Sequence, residues 1–348
     1  MNKKILFFHI GLNTFVKRDI AILSEKYTVD VYEFKLSKKL LTFILEVIRQ
    51  FFFLVFKGRK YDVLFIWFSD YHSFLPSLYA KLFYKKCYIV AGGFDATAIP
   101  ELGYGLFCKK NLRSVLGRKS YEYCTKILPV DESLIINKNS YAFQYEFDAG
   151  IMHYCNVAED KFLTIPTGYD VNFWKPVKGI DRQNSVVSVA SVASYPRWKL
   201  KGGDLLMEVA KRLPQYEFYF YGISEKFQQE LIERGVPENF HLKGFVQNES
   251  LPEIYSKHKV YAQLSLSEGL PNVLCEAMLC GCVPLGSNVN GIPKAIGSTG
   301  FILERKNVQE AVVLVAKAIE HKETTFSQER ILNLFDINKR IQSLIGVI

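Results

Sequence analysis

"SLSEGLPNVLCEAMLCGCVPLGS", residues 265–287, is the stretch whose reading decides the fold. An apolar run, "VYAQLSL" at 260–266, enters it, and another, "CVPLG" at 282–286, leaves it. Between them Pro271 takes the favoured first position of a helix that Gly281 ends. A strand, a helix and a strand in so few residues make a parallel βαβ unit. The unit carries two glutamates eight positions apart, Glu268 at the mouth of the turn and Glu276 on the helix. The N–H groups of Asn272, Val273 and Leu274 fall in the first helical turn, where they lack intrahelical acceptors. They form a neutral anion site at the carboxyl edge of a strand. Gly269 lets a ligand approach the backbone closely. Glu276 lies one turn beyond Asn272 on the same helix face, while Leu274, Ala277 and Met278 face elsewhere and suit a core.

The same alternation extends in both directions. Before this stretch come "SVVSVASV" at 185–192, "YEFYFYG" at 216–222 and "NFHLKGF" at 239–245, with helices at 203–213 and 225–234. An earlier series holds "KILFFHI" at 4–10, "YTVDVYEF" at 27–34, "DVLFIWF" at 62–68 and "CYIVAG" at 87–92. Short buried strands separated by helices predict an α/β chain of two Rossmann-like halves, joined by a polar linker near 172–184. The expected domains are 1–172, 173–325 and a helical stretch 326–348 returning to the first domain. Ligands of such sheets bind beyond the carboxyl ends of the strands, so a cleft between the halves is the expected site.

Length and composition agree with two domains of ordinary size. The chain has 348 residues, 49% of them hydrophobic, which excludes wholesale disorder. The start "MNKKILFFHIG" has no signal-peptide pattern, and seven cysteines without a C-x-x-C pair suit a reducing, cytoplasmic setting. Two thiols around Gly281 cannot complete a tetrahedral metal site, so no metal is expected. The net charge of +9 calls for an acidic partner. No zinc-finger spacing or RRM-type aromatic pattern points to nucleic acid, which leaves phosphorylated small molecules and anionic lipid.

With these residues in view, the chain resembles the retaining glycosyltransferases of family 4, in group 1. Their pattern is Glu, seven residues, Glu, with Gly after the first and Ala-Met after the second. "SEGLPNVLCEAMLCGCVPLGSNVNGIPKAIGSTGFIL" follows it through Gly291-Ile292-Pro293 and Gly300-Phe301. "IPTGYDVNFWKP" at 165–176 resembles the linker of the family, and "KGGDLLMEVAKRL" at 201–213 its first helix in the second domain. The resemblance is close over 165–305 and loose before it. It implies a GT-B architecture, with two parallel sheets facing a central cleft. It also implies transfer of a sugar from a nucleotide diphosphate donor with retention of configuration, without metal or cofactor.

Residue by residue, the resemblance places Glu276 on the donor ribose and Glu268 beside the donor sugar. Gly269, Leu270, Pro271, Asn272 and Val273 then support sugar and phosphates, with Phe245 and Val246 at the end of a strand completing the donor site. Lys201, before Gly202, matches the phosphate lysine of the family. Its companion arginine usually sits in "Gly-Arg" after a strand; here "VASYPRWK" makes Arg197 the stand-in. Physically, cations ahead of a helix oppose its dipole, a conflict that an anionic ligand removes. Gly11 in "HIGLN" stands where relatives bring a glycine loop near the phosphates. In "AGGFDAT" no histidine is present where relatives often have one, which leaves Gly92, Gly93 and Asp95 to line the cleft. His72, in "SDYHSF", reads as structural or as facing the cleft.

No Ser/His/Asp or Cys/His arrangement offers a protein nucleophile, so front-face displacement assisted by the leaving phosphate is expected. The acceptor is expected to be a lipid-linked surface glycan of lipopolysaccharide or capsule type. "KLSKKLLTFILEVIRQFFFLVFKGRK", 35–60, holds seven Lys/Arg against Glu46 and is too short in apolar residues to span a bilayer. On a helix, Leu41, Ile44, Leu45, Ile48, Phe52 and Val55 form a face that can pack on the sheet. Phe43, Val47, Phe53 and Leu54 lie outside it, and an anionic membrane surface is the expected partner. A nucleotide-sugar 2-epimerase would share the plan but release an isomerised donor without an acceptor. A non-catalytic binding subunit would show a damaged donor site, whereas both glutamates and Lys201 are present.

Overall fold

The computed structural model describes residues 3–321 and 325–348. The chain divides into two compact units: residues 1–137, 148–167 and 338–348 form the first, and 138–147 with 168–337 the second.

The first unit alternates β1 (Lys4–His9), α1 (Thr14–Ser24), β2 (Thr28–Glu33), α2 (Leu40–Lys57), β3 (Val63–Trp67), α3 (Tyr71–Leu82), β4 (Lys86–Ala91), α4 (Leu112–Tyr123) and β5 (Lys126–Pro129). The strands pair in parallel in the order β2-β1-β3-β4-β5. Right-handed crossovers then put α1 on one face and α2, α3 and α4 on the other. Ile5–Phe8, Leu64–Ile66 and Ile89–Ala91 are fully buried, as continuous apolar runs in a sheet covered on both faces require. A ribbon of β6 (Asn137–Asn139) and β7 (Phe147–Ala149) follows.

The second unit holds β8 (Gln183–Val192), α5 (Tyr195–Leu200), α6 (Gly203–Arg212), β9 (Glu217–Ile223), α7 (Glu225–Glu233), β10 (Phe240–Lys243), α8 (Leu251–Lys257), β11 (His258–Gln263), α9 (Asn272–Leu279), β12 (Val283–Ser287), α10 (Ile292–Ile296), β13 (Phe301–Leu303) and α11 (Val308–Glu320). Its sheet runs β10-β9-β8-β11-β12-β13, all parallel. Two helices close the chain, α12 (Thr325–Phe335) and α13 (Ile337–Val347).

α13 locks into the first unit through a buried ion pair. Arg340 donates to both oxygens of Asp19 at 2.7 and 2.5 Å and to the carbonyls of Ile165 and Pro166. Trp67 Nε1 donates to the same carboxylate at 2.7 Å. With every partner satisfied the pair specifies where the helix docks, and removing one member costs roughly 3–5 kcal/mol.

Three expectations are corrected. Strands β5, β6, β7 and β13 are additional to those read from the sequence. The C-terminal helical stretch is two helices, broken at Asp336, which forms a parallel bridge with Tyr169. Tyr169 also donates its N–H to Phe335 O and accepts from the Ile337 N–H. Most consequentially, α2 is inverted. Leu41, Ile44, Leu45, Ile48, Phe52 and Val55 face solvent, while Glu46, Gln50 and Leu54 are buried. Glu46 is satisfied inside, accepting from Arg49 Nε and Tyr32 OH, while Gln50 donates its Nε2 to His72 O at 2.8 Å and its Oε1 is left without a partner.

Candidate active site

The site in the second unit is assembled where β11 ends. Its loop, 264–271, is pinned from three sides before α9 begins. The Leu266 N–H donates to Leu200 O at 2.8 Å and Leu266 O accepts from Asn139 Nδ2 at 2.8 Å. On the far side the Glu268 N–H donates to Asn290 Oδ1, and the Gly291 N–H to Gly269 O at 3.0 Å. Asn290 adopts φ +47, a left-handed geometry that asparagine tolerates better than most residues.

Lys201 reaches the loop from the α5–α6 corner. Gly202 turns that corner at φ +72, and a Cβ there would lie 2.1 Å from Leu264 O. Only glycine meets both demands. The turn delivers Lys201 Nζ to Glu268 Oε1 at 2.5 Å, an ion pair with side chains 16% and 12% exposed. Gln263 Nε2 donates to the same oxygen at 3.1 Å and to Ser265 Oγ at 2.8 Å. Gln263 is oriented in turn by Tyr261, whose hydroxyl donates to its Oε1. Burial foremost pushes the Tyr261 phenol well above its ordinary value, so it stays a donor.

α9 starts beside this pair. Pro271 is its N-cap rather than its first residue, with extended backbone and no side-chain cap. The amides of Asn272, Val273 and Leu274 therefore keep the first-turn positions. Tyr169, from the linker, donates its hydroxyl to Asn272 Oδ1 at 2.9 Å and fixes that side chain. Glu276 is buried on α9. Arg197 sits on α5, half-buried, one turn before Lys201, and its carbonyl accepts the Lys201 N–H at 3.0 Å. Asp204 is not a side-chain cap of α6; it accepts from Lys306 Nζ at 2.7 Å. Past β10, Phe245 is 77% exposed and Val246 half-buried.

In the first unit, Gly11 follows β1 by two residues and donates its N–H to His9 Nδ1 at 3.1 Å. A Cβ at Gly11 would meet nothing within 4 Å, so packing does not force the glycine. Asp95 lies in the interior of the first unit, which corrects the expectation for it. It is fully buried, with Oδ1 accepting from the Gly92 and Gly93 amides and Oδ2 from the Ser69 amide and the Tyr121 hydroxyl. Burial raises its pKa, and its office is to hold the Gly92-Gly93 loop after β4. His72 is also interior: Nε2 meets Trp67 O at 2.9 Å, and burial lowers its pKa to about 4. Cys282 donates its thiol to Tyr255 O, and burial raises it to about 11.

Gln263, Asn290, Tyr169 and Asn139 were not singled out by sequence. The reach of the Asn290 side chain to the Glu268 N–H has no local signal in the sequence.

Residues 172–330 match the family described as glycosyl transferases group 1. An O-antigen chain mannosyltransferase B of Escherichia coli is 27% identical over 117 residues, 33% of this chain and 31% of that protein. An uncharacterized 41.2 kDa protein in the cps region of Klebsiella pneumoniae is 26% identical over 208 residues, 57% of this chain and 55% of that one. The chain thus spans between about a third and about half of these curated relatives. Among solved structures, Anabaena Alr3699/HepE in complex with UDP and glucose superposes with a TM-score of 0.72 at 15% identity, covering 99% of each chain. Sucrose-phosphate synthase of Thermosynechococcus elongatus gives 0.73 at 12% identity, covering 99% of this chain and 98% of that one. The fold is GT-B.

Proposed function

Residues 172–330 being a glycosyl transferases group 1 segment, we propose that the chain transfers a sugar from a nucleoside-diphosphate sugar to a glycan hydroxyl. One observation carries this reading: the Lys201–Glu268 pair set beside the first-turn amides of α9. A cation and a row of N–H dipoles suit a diphosphate, and the adjoining carboxylate suits sugar hydroxyls. In the ligand-free protein Glu268 neutralises Lys201. When a diphosphate arrives, Lys201 exchanges that partner for phosphate oxygens, with Arg197 as a second cation. Glu268, still held by Gln263, then accepts from the donor sugar. Glu276 takes the ribose diol, and the exposed ring of Phe245 and Val246 flank the base.

Transfer proceeds with retention and without a metal. The acceptor oxygen bonds to the anomeric carbon on the face the diphosphate leaves, and its proton passes to the departing phosphate oxygen. Lys201 and the α9 amides meet the developing charge. The likeness to a mannosyltransferase named for O-antigen chains supports a surface-glycan acceptor. A lipid-linked form of that acceptor fits a protein peripheral to an anionic cytoplasmic membrane face.

Calorimetry tests the reading. UDP and other nucleoside diphosphates are compared with their nucleosides, for the natural chain and for Lys201→Ala. The expected result is a diphosphate-dependent affinity that the variant loses, undiminished by EDTA. Equal binding of nucleoside and diphosphate by the natural chain would refute it.

A further inference from the structure

We infer that the first unit docks on an anionic lipid bilayer through a two-part surface, the outward stripe of α2 and the turn from α3 to β4. This deepens the membrane placement proposed above, and rests on it, by naming the elements that enter the lipid.

The stripe is more apolar than the face α2 turns inward. Leu40, Leu41, Ile44, Leu45, Ile48, Phe51, Phe52, Val55 and Phe56 are all exposed, Phe56 at 76%. They run the length of an 18-residue helix, about 27 Å. A helix that buries Glu46 and Gln50 while exposing three phenylalanines has the polarity of an interfacial helix, reversed from that of a core helix. Its cations bracket the stripe: Lys35, Lys38 and Lys39 before it, Lys57, Arg59 and Lys60 after it, all exposed. From 35 to 60 the lone acidic residue is Glu46, which is turned inward and paired with Arg49.

The turn adds a second, independent element. Leu82, Phe83 and Tyr84 are exposed, Tyr84 at 96% and φ +53, a strained conformation for a tyrosine with no packing to compensate it. Lys81, Lys85 and Lys86 surround it, with no acid among residues 81–86. The turn adjoins the end of α2. Gly58 lies so close to Tyr79 that a Cβ would be 2.6 Å from its ring, and Lys85 Nζ donates to Arg59 O. Tyr79 stacks in turn on Phe83 at 4.4 Å. Phe56, Arg59, Phe83, Tyr84 and Lys86 therefore lie on neighbouring segments. A broad apolar helix face with cations at both ends matches a diffuse, planar anionic surface. An acidic protein partner would instead call for a groove or paired charges.

The test is co-flotation of the full chain with phosphatidylglycerol-containing vesicles, with neutral phosphatidylcholine vesicles as reference. The natural chain floats with the anionic vesicles at low salt, less as salt rises. The double variant Phe52→Asp/Phe56→Asp lowers partitioning on the order of a hundredfold, and Tyr84→Ser roughly threefold to tenfold. Val313→Asp, at a half-exposed position of α11 in the other unit, leaves it unchanged. Melting and nucleoside-diphosphate binding are read on every variant, so a misfolded protein is recognised. The proposal fails if the natural chain stays in solution beside anionic vesicles, or if the double variant floats equally well. It fails too if the double variant only converts a dimer to a monomer, which would give the stripe to a second copy. Flotation without diphosphate binding sinks the transferase reading and leaves the docking surface standing.

Discussion

Replacing Lys201 by alanine separates a structural ion pair from a phosphate site. In the ligand-free protein the substitution strips Glu268 of its cation and leaves it the Gln263 amide at 3.1 Å. A fully buried pair so broken would cost roughly 3–5 kcal/mol. Both side chains keep some water contact, which lowers the expected loss to about 1–3 kcal/mol. For a unit of this size that is a fall in melting temperature of about 3–10 °C. Two unit charges 4 Å apart attract by about 4 kcal/mol at an effective dielectric of 20. Part of this is spent parting Lys201 from Glu268, so roughly 2.7 kcal/mol is left for the diphosphate, on the order of 100-fold in turnover. Calorimetry should show nucleoside-diphosphate affinity falling while nucleoside affinity holds. The companion Glu268→Gln should raise diphosphate affinity, since a repelling carboxylate is gone, while lowering turnover. If Lys201→Ala weakens nucleoside and diphosphate equally, or neither, the partner exchange is wrong.

Other perturbations test other links. Glu276→Ala should weaken donor binding by roughly 1.5–3 kcal/mol in calorimetry, and unchanged binding would remove Glu276 from the ribose. Gly202→Ala meets both a left-handed φ and Leu264 O, so urea denaturation should show a loss of roughly 2–4 kcal/mol in the second unit. His72 and His258 both have pKa values lowered by burial to about 4, against 6.5 ordinarily. A depressed histidine is neutral in the folded chain while the unfolded chain takes up the proton. Stability should therefore fall as pH drops from about 6.5 to about 4, by up to about 3 kcal/mol per histidine. Asp95, raised by burial, works in the opposite sense, and His72→Gln should remove part of the fall in a urea-midpoint profile. A thiol reagent at neutral pH should label Cys108 alone among the seven cysteines of the native chain, because the other six are buried.

The alternation of strands and helices was legible because doubly covered parallel strands are continuous apolar runs, such as Val63–Trp67 and Val283–Ser287. β13, three residues long, is too short to leave a run. The resemblance assigned Lys201 and Glu268 separately to one donor site, but their encounter, 67 residues apart in the chain, has no local pattern. Its supports, Gln263 and Asn290, act through side-chain reach across the sheet edge, which periodicity does not encode. Asp95 illustrates the converse. An aspartate after a strand reads as lining the cleft, yet the Ser69, Gly92 and Gly93 amides and the Tyr121 hydroxyl make a full shell for a buried carboxylate. α2 misled because the wider apolar face of a helix normally turns inward. Here it covers β2, itself largely exposed and at the sheet edge, where little apolar surface is needed.

The Arg340–Asp19 pair spans 321 positions of sequence. During vectorial synthesis at about 5–20 residues per second, Asp19 leaves the ribosome many seconds before its counter-ion exists. Until then α1 carries a carboxylate aimed at an unfinished core, with the Trp67 indole as its neighbour. The first unit can collapse early but cannot close until the second has been made. For this chain the order of manufacture is the reverse of the order of completion: the half that begins first is finished last.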